Sequence, residues 1–168
     1  YQAGLDITTG TNNTCIGNQT AVDTHVDASS NVAIGKGAFG GAHNKSNASH
    51  YNTAVGHASM AGAMDDSSNN TAVGYISLNA LTTGDNNVAI GSSAGNALAT
   101  GGTNVVIGSG AGVAMTNNDN NVVVGYGAFA AEDGGADQNV IVGRTAGASI
   151  NNASADKNVI IGDAAGAG

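Results

Sequence analysis

A short pattern of apolar and polar positions recurs along the chain: Asn, then Val or Thr, a small or apolar residue, Ile or Val, and finally Gly. It occurs nine times, with successive glycines 17 to 21 residues apart. β-Branched residues beside the central position, without a 3.6-residue period, favour a short strand. The glycines are Gly17, Gly35, Gly56, Gly74, Gly91, Gly108, Gly125, Gly143 and Gly162, and the asparagines are Asn13, Asn31, Asn52, Asn70, Asn87, Asn104, Asn121, Asn139 and Asn158.

Each glycine is predicted to end its strand. The next residue is often polar or charged, as at Lys36, Tyr75 and Arg144. In a continuing strand it would share a face with the Ile or Val two positions earlier. A turn or bulge that glycine adopts easily is therefore expected. The position three residues after each glycine is predicted to be packed, because it always holds a small residue: Thr20, Ala38, Ser59, Ser77, Ala94, Ala111, Ala128, Ala146 or Ala165.

Both faces of the strand are predicted to be buried. The flanking Val and Ile columns are assigned to the coil interior, and the middle position to a second layer formed by a neighbouring copy. The middle position is also apolar, and its drift from Ala to Ile indicates tighter or wider packing toward the C-terminal end. This column reads Cys15, Ala33, Ala54, Ala72, Ala89, Val106, Val123, Ile141 and Ile160.

The rest of each unit is rich in Gly, Asn, Ser, Thr and Asp, which is typical of turns. The recurrent Asn before each strand is expected to form a hydrogen-bonded ladder between stacked units or to occupy a left-handed turn. One unit is too small to fold alone, so stacking is required. We predict an all-β, parallel β-solenoid or β-roll of about nine coils over residues 1–168, a single repetitive segment of a longer fibre protein, and a homotrimer.

Composition narrows the partners. The formal charge is −8 with four basic residues, so neither nucleic acid nor an anionic membrane surface is expected to bind. No apolar run approaches the roughly 18 residues of a membrane span. The lone cysteine, Cys15, excludes an internal disulfide framework and is interpreted as a buried thiol.

No catalytic site, metal or cofactor is predicted. Glycoside hydrolysis needs two carboxylates facing one another across a groove, whereas the acidic residues are eleven Asp and one Glu, with Asp65–Asp66 and Glu132–Asp133 the only adjacent pairs. Threefold symmetry could place His43, His50 or His57 in a metal-binding ring, but exposed loop histidines are the preferred interpretation.

The loops favour receptor contact as the functional hypothesis. The alternative is a shaft segment whose loops bind nothing. Its candidates are the residues after the glycines and those of the longest insertion: Lys36, His43, Lys45, His50, Tyr51, His57, Tyr75, Tyr126 and Arg144.

The repeats resemble two families. Asn31-Val32-Ala33-Ile34-Gly35 and Asn87-Val88-Ala89-Ile90-Gly91 are similar to the YadA-like head repeats of trimeric autotransporter adhesins. Closer still is the likeness to phage tail fibre repeats, on Tyr1-Gln2-Ala3-Gly4 with Thr8–Thr14 and on Thr71–Tyr75 with Thr82–Asn87.

That resemblance implies a trimeric, extracellular fibre on a virion or bacterial surface that attaches to a host glycan or protein. The leading hypothesis is a structural segment of a phage tail fibre. The alternative is a bacterial adhesin head or extracellular filament. A tailspike-like polysaccharide depolymerase comes third, because the chain has one Glu.

Overall fold

A computed structural model describes residues 3–5, 7, 9–21, 27–41, 47–131, 134–152 and 154–167. Its regular elements are three-residue strands, each inside one copy of the recurrent pattern. They are β1 (Thr14–Ile16), β2 (Val32–Ile34), β3 (Thr53–Val55), β4 (Thr71–Val73), β5 (Val88–Ile90), β6 (Val105–Ile107), β7 (Val122–Val124), β8 (Val140–Val142) and β9 (Val159–Ile161).

The strands form one parallel sheet in chain order, β1 to β9. Equivalent residues pair throughout, so Ala89 of β5 lies beside Val106 of β6. A parallel neighbour needs a crossover connection, and here each crossover is one circuit of turns. The predicted all-β parallel solenoid is thereby confirmed; coil n hereafter means strand βn with the residues up to the next strand.

Backbone hydrogen bonds join the coils along the turns as well as along the sheet. Met60 N–H donates to the Ser77 carbonyl at 2.9 Å, and Thr82 N–H donates to the Ala99 carbonyl at 2.8 Å. Turn segments that would otherwise leave polar groups unpaired are therefore satisfied by the next coil. Among the described residues there is no long, apolar helix of the kind that spans a membrane.

The glycine after each strand forms the predicted corner, with φ between +125° and +143° at all nine positions. At Gly91, φ is +133°, and an added Cβ would lie 2.6 Å from the carbonyl carbon and oxygen of Gly108 in the next coil. Glycine is thus required by both backbone conformation and the close approach of the next coil.

The interior lies against the middle strand position, which corrects the prediction for the two strand faces. Ala72 and Ala89 are fully buried, whereas Val88 in the flanking column is only partly buried and Ile90 is 40% exposed. The coil is thin, so the strand directs small side chains inward toward the packed column three residues after the glycine. That column is buried as predicted in coils 1–8.

Large side chains enter the interior from the turns. Phe39, Met60, Leu78 and Phe129, each four residues after a corner glycine, are fully buried. They adopt φ values between 45° and 53°, a left-handed conformation in which these side chains are uncommon. The fourth residue after the corner is therefore a second source of core volume that the apolar pattern of the strands does not reveal.

The start of the chain continues the stack. Ala3 forms a parallel bridge with Thr20, and Gly4 N–H donates to the Thr20 carbonyl at 2.9 Å. Ala3 therefore lies in register with the small-residue column that contains Thr20, although Ala3 itself is exposed.

Candidate functional site

The asparagine before each strand forms a continuous ladder through the stack. Asn104 N–H and its side-chain Nδ2 both donate to Oδ1 of Asn87, each at 3.0 Å. The same Nδ2 donates to the Asn118 carbonyl of the next coil at 2.6 Å. Equivalent Asn-to-Asn bonds run from Asn13 to Asn158. Because these amides are satisfied inside the protein, their role is structural.

A second ladder lies two residues before the first, and sequence reasoning missed it. Ser29 N–H donates to Nδ1 of His50 at 3.1 Å, His50 N–H donates to Oγ of Ser68 at 3.2 Å, and Ser68 N–H donates to Oδ1 of Asp85 at 2.6 Å. The column mixes residue types, and these three acceptors all lie on side chains, whereas Gly102, at the equivalent position of the next coil, has no side chain to accept a hydrogen bond. His50, predicted as a receptor contact, has one ring nitrogen committed to this ladder.

The flanking strand positions form a long apolar surface, which we call the outward face. Its central members are partly buried, and Ile90 and Val122 are 40% and 37% exposed. Two parallel columns make up this face: Thr14, Val32, Thr53, Thr71, Val88, Val105, Val122, Val140 and Val159, and Ile16, Ile34, Val55, Val73, Ile90, Ile107, Val124, Val142 and Ile161.

Across the glycine corner lies a second surface, the outward strip, formed by the residue after each glycine. The ring of His57 stacks on that of Tyr75, with centroids 5.5 Å apart and an interplanar angle of 24°. Arg144 forms an exposed ion pair with Asp163 at 2.9 Å. The members of the strip are Asn18, Lys36, His57, Tyr75, Ser92, Ser109, Tyr126, Arg144 and Asp163.

The candidate receptor contacts fall into separate places. Lys36, His57 and Tyr75 are neighbours on coils 2–4 of the strip, whereas Tyr126 and Arg144 lie on coils 7 and 8. Tyr51 is 65% exposed, and its ring centroid is 6.0 Å from that of His50. His43 and Lys45 lie outside the described residues.

Within the described ranges, acidic, cysteine and histidine side chains do not cluster into a candidate metal site. No group of three His, Cys, Asp or Glu side chains there could hold a metal ion. Burial raises the pKa of the Cys15 thiol, which disfavours the nucleophilic thiolate. Glu132 and Asp133 lie outside the described residues.

Fold and surface define a single-sheet parallel β-solenoid with an apolar strand face and a polar, partly aromatic strip. No protein-family model, no characterised protein and no solved structure matches this chain.

Proposed function

We propose that this chain is a structural segment of an extracellular fibre of the phage tail-fibre kind, assembled as a homotrimer and bearing surfaces for attachment to a host. The chain supplies length, since each coil adds about 4.8 Å of axial rise. It also supplies rigidity, since the backbone is hydrogen-bonded from coil to coil through both strands and turns.

The outward face carries the proposal. Val105 and Ile107 on β6 point away from the coil interior, and their equivalents continue the apolar surface across the whole sheet. The largest contiguous apolar patch on a soluble monomer is about 300–600 Å² and often marks an interaction site. Nine strands at about 4.8 Å spacing and about 10 Å length give a face of roughly 430 Å² before flanking residues are counted. Burial against further copies would remove this apolar area from water.

Three copies suit the shape of this surface. The face is two side chains wide and nine strands long, and in the proposed trimer three such faces would meet around one axis and enclose an apolar core. Cyclic closure leaves no face uncovered and produces a defined assembly. The parallel, in-register strands keep the contact the same from coil to coil.

Multi-angle light scattering tests the assembly. We expect a mass near three times the 16.1 kDa chain. Val105→Lys combined with Ile107→Lys places two charges within the contact and should shift the population toward monomer. Ser109→Lys, on the exposed strip, is the matched control and should remain trimeric. A wild-type chain that is monomeric and folded by circular dichroism would contradict the proposal.

A further inference from the structure

Bulky residues of the outward strip are interrupted at two consecutive coils. Tyr75 on coil 4 and Tyr126 on coil 7 are 55% and 65% exposed, and only Ser92 and Ser109 lie between them. Three coil steps of about 4.8 Å separate the tyrosines by about 14 Å. The strip therefore contains a slot with aromatic walls and a floor of two exposed serines.

The slot is held in shape by the backbone. Ser93 N–H donates to the Tyr75 carbonyl at 2.8 Å, Gly110 N–H to the Ser92 carbonyl at 2.9 Å, and Gly127 N–H to the Ser109 carbonyl at 3.0 Å. These bonds link each strip position to the next coil. The stacked ring of His57 supports Tyr75 on the side away from the slot. The backbone positions of the slot and the Tyr75 ring are therefore preorganised, which lowers the entropic cost of binding.

The chemistry of the slot is neutral. Arg144, beside Tyr126, is paired with Asp163, and Lys36 lies beyond His57 on the far side of Tyr75. The Ser92 and Ser109 hydroxyl groups have no hydrogen-bond partner among the described residues. Aromatic faces pack against the C–H faces of sugar rings, and serine hydroxyls both donate and accept hydrogen bonds. A protein partner would need a contact area far larger than this slot.

We propose that the slot between Tyr75 and Tyr126 binds a neutral saccharide of about two pyranose rings. If one sugar ring packs about 4 Å from Tyr75 and a second packs about 4 Å from Tyr126, about 6 Å remains between the two sugar rings. Directly linked sugar rings can span that distance. The serine hydroxyls contact the sugar hydroxyls from below. This inference rests on the proposed attachment fibre. In that fibre the outward face is covered by other copies, the outward strip stays open to solvent, and the strip is therefore the surface to which a ligand class is assigned.

An array of neutral and acidic glycans probed with the intact assembly tests the inference. We expect binding to neutral glycans, and NMR titration with the neutral disaccharide that binds best should shift the ring signals of Tyr75 and Tyr126. Tyr51 is 65% exposed outside the strip, so its ring is an internal reference that should not shift.

Variants assign the binding to the slot. Tyr75→Ala and Tyr126→Ala should each weaken affinity at least ten-fold, and Ser109→Tyr should abolish binding by filling the slot. Tyr51→Ala should bind as the wild type does. No binding to neutral glycans, or equal binding by the tyrosine variants, would overturn the saccharide site and leave the trimer proposal standing. Saccharide binding by a monomeric wild type would overturn only the assembly.

Discussion

Early and late coils fill the same narrow interior from opposite sides. In coils 2–4 the strand contributes alanine and the turn contributes a large side chain, whereas in coils 6, 8 and 9 the strand contributes Val or Ile and the turn contributes glycine. The early pairs are Ala33 with Phe39, Ala54 with Met60 and Ala72 with Leu78, and the late pairs are Val106 with Gly112, Ile141 with Gly147 and Ile160 with Gly166.

The two positions contact each other, so the exchange is direct. A Cβ added at Gly112 would lie 3.3 Å from Cγ1 of Val106, and one added at Gly147 would lie 3.4 Å from Cδ1 of Ile141. Strand register is unchanged from β2 to β9. In coils 2–4, 6, 8 and 9 the drift from Ala to Ile along the strands therefore accompanies a loss of side-chain volume at the fourth position after the corner glycine. Coils 5 and 7 depart from this exchange, since coil 5 pairs Ala89 with Gly95 and coil 7 pairs Val123 with Phe129.

Corner glycines are common to both regions, and replacing one should produce the largest effect. Gly35→Ala and Gly91→Ala each place a Cβ within 3 Å of the next coil's backbone at a φ above +120°. Because backbone cannot move aside like a side chain, we expect a loss of about 4 kcal/mol or more of unfolding free energy at both positions. Urea denaturation followed by circular dichroism measures it.

Gly37→Ala is the control for that substitution. Gly37 also has a positive φ, +66°, but an added Cβ there would meet nothing within 4 Å. Only the left-handed conformation is penalised, at about 1 kcal/mol. Equal losses at Gly37 and Gly91 would show that contact with the next coil is unimportant.

Large interior residues come next, and they should matter equally whichever side supplies them. Phe39→Ala removes the turn's contribution in coil 2, and Ile141→Ala removes the strand's contribution in coil 8. Both side chains are fully buried, so each change leaves a cavity and should cost about 2–5 kcal/mol. Tyr51→Ala, at an exposed position, should change the urea midpoint little. A much smaller loss at Phe39 would mean that only the side chains supplied by the strand stabilise the interior.

Much of the local structure could be predicted because it repeats. The strand at Val88–Ile90, the bend at Gly91 and the packed Ala94 follow from patterns that recur in every unit. Repetition reveals which positions are equivalent, since a column of one residue type reports one environment.

The assignment of strand faces failed for a physical reason. Two-residue alternation separates Ala89 from Val88 and Ile90 but does not say which side is interior. Size alone predicts that the larger residues point inward, whereas a coil this thin accepts alanine at the strand and receives Leu78 or Phe129 from the turn. The tyrosine slot was likewise hidden, because single residues after glycine acquire meaning only once stacking sets Tyr75 and Tyr126 three coils apart.

A double-mutant cycle tests whether volume can be transferred between the two sides. Ala72→Val adds bulk opposite Leu78 and should cost about 1–3 kcal/mol by overpacking. Leu78→Gly alone should cost about 2–5 kcal/mol through a cavity. Together they recreate the late arrangement of Val106 with Gly112, so the double variant should be more stable than the sum predicts by at least about 1 kcal/mol. Strict additivity in urea unfolding would refute the exchange.

The smallest expected effect concerns a backbone strain that both regions share. The residue before each ladder asparagine has a φ near +60°, and asparagine already occupies this position at Asn69 and Asn86, whereas Thr103 is β-branched. Thr103→Asn should stabilise the protein by about 0.5–1 kcal/mol, because Asn tolerates the left-handed conformation better. Thr100→Asn, at another exposed threonine, is the control and should stay within about 0.5 kcal/mol of wild type.

The strain lies outside the interior, so the gain should not depend on whether a coil is filled from its turn or its strand. Tyr51→Asn, in the early region, should therefore also raise the thermal midpoint. A loss of stability in both variants would mean that their side chains, rather than their backbone conformation, determine these positions.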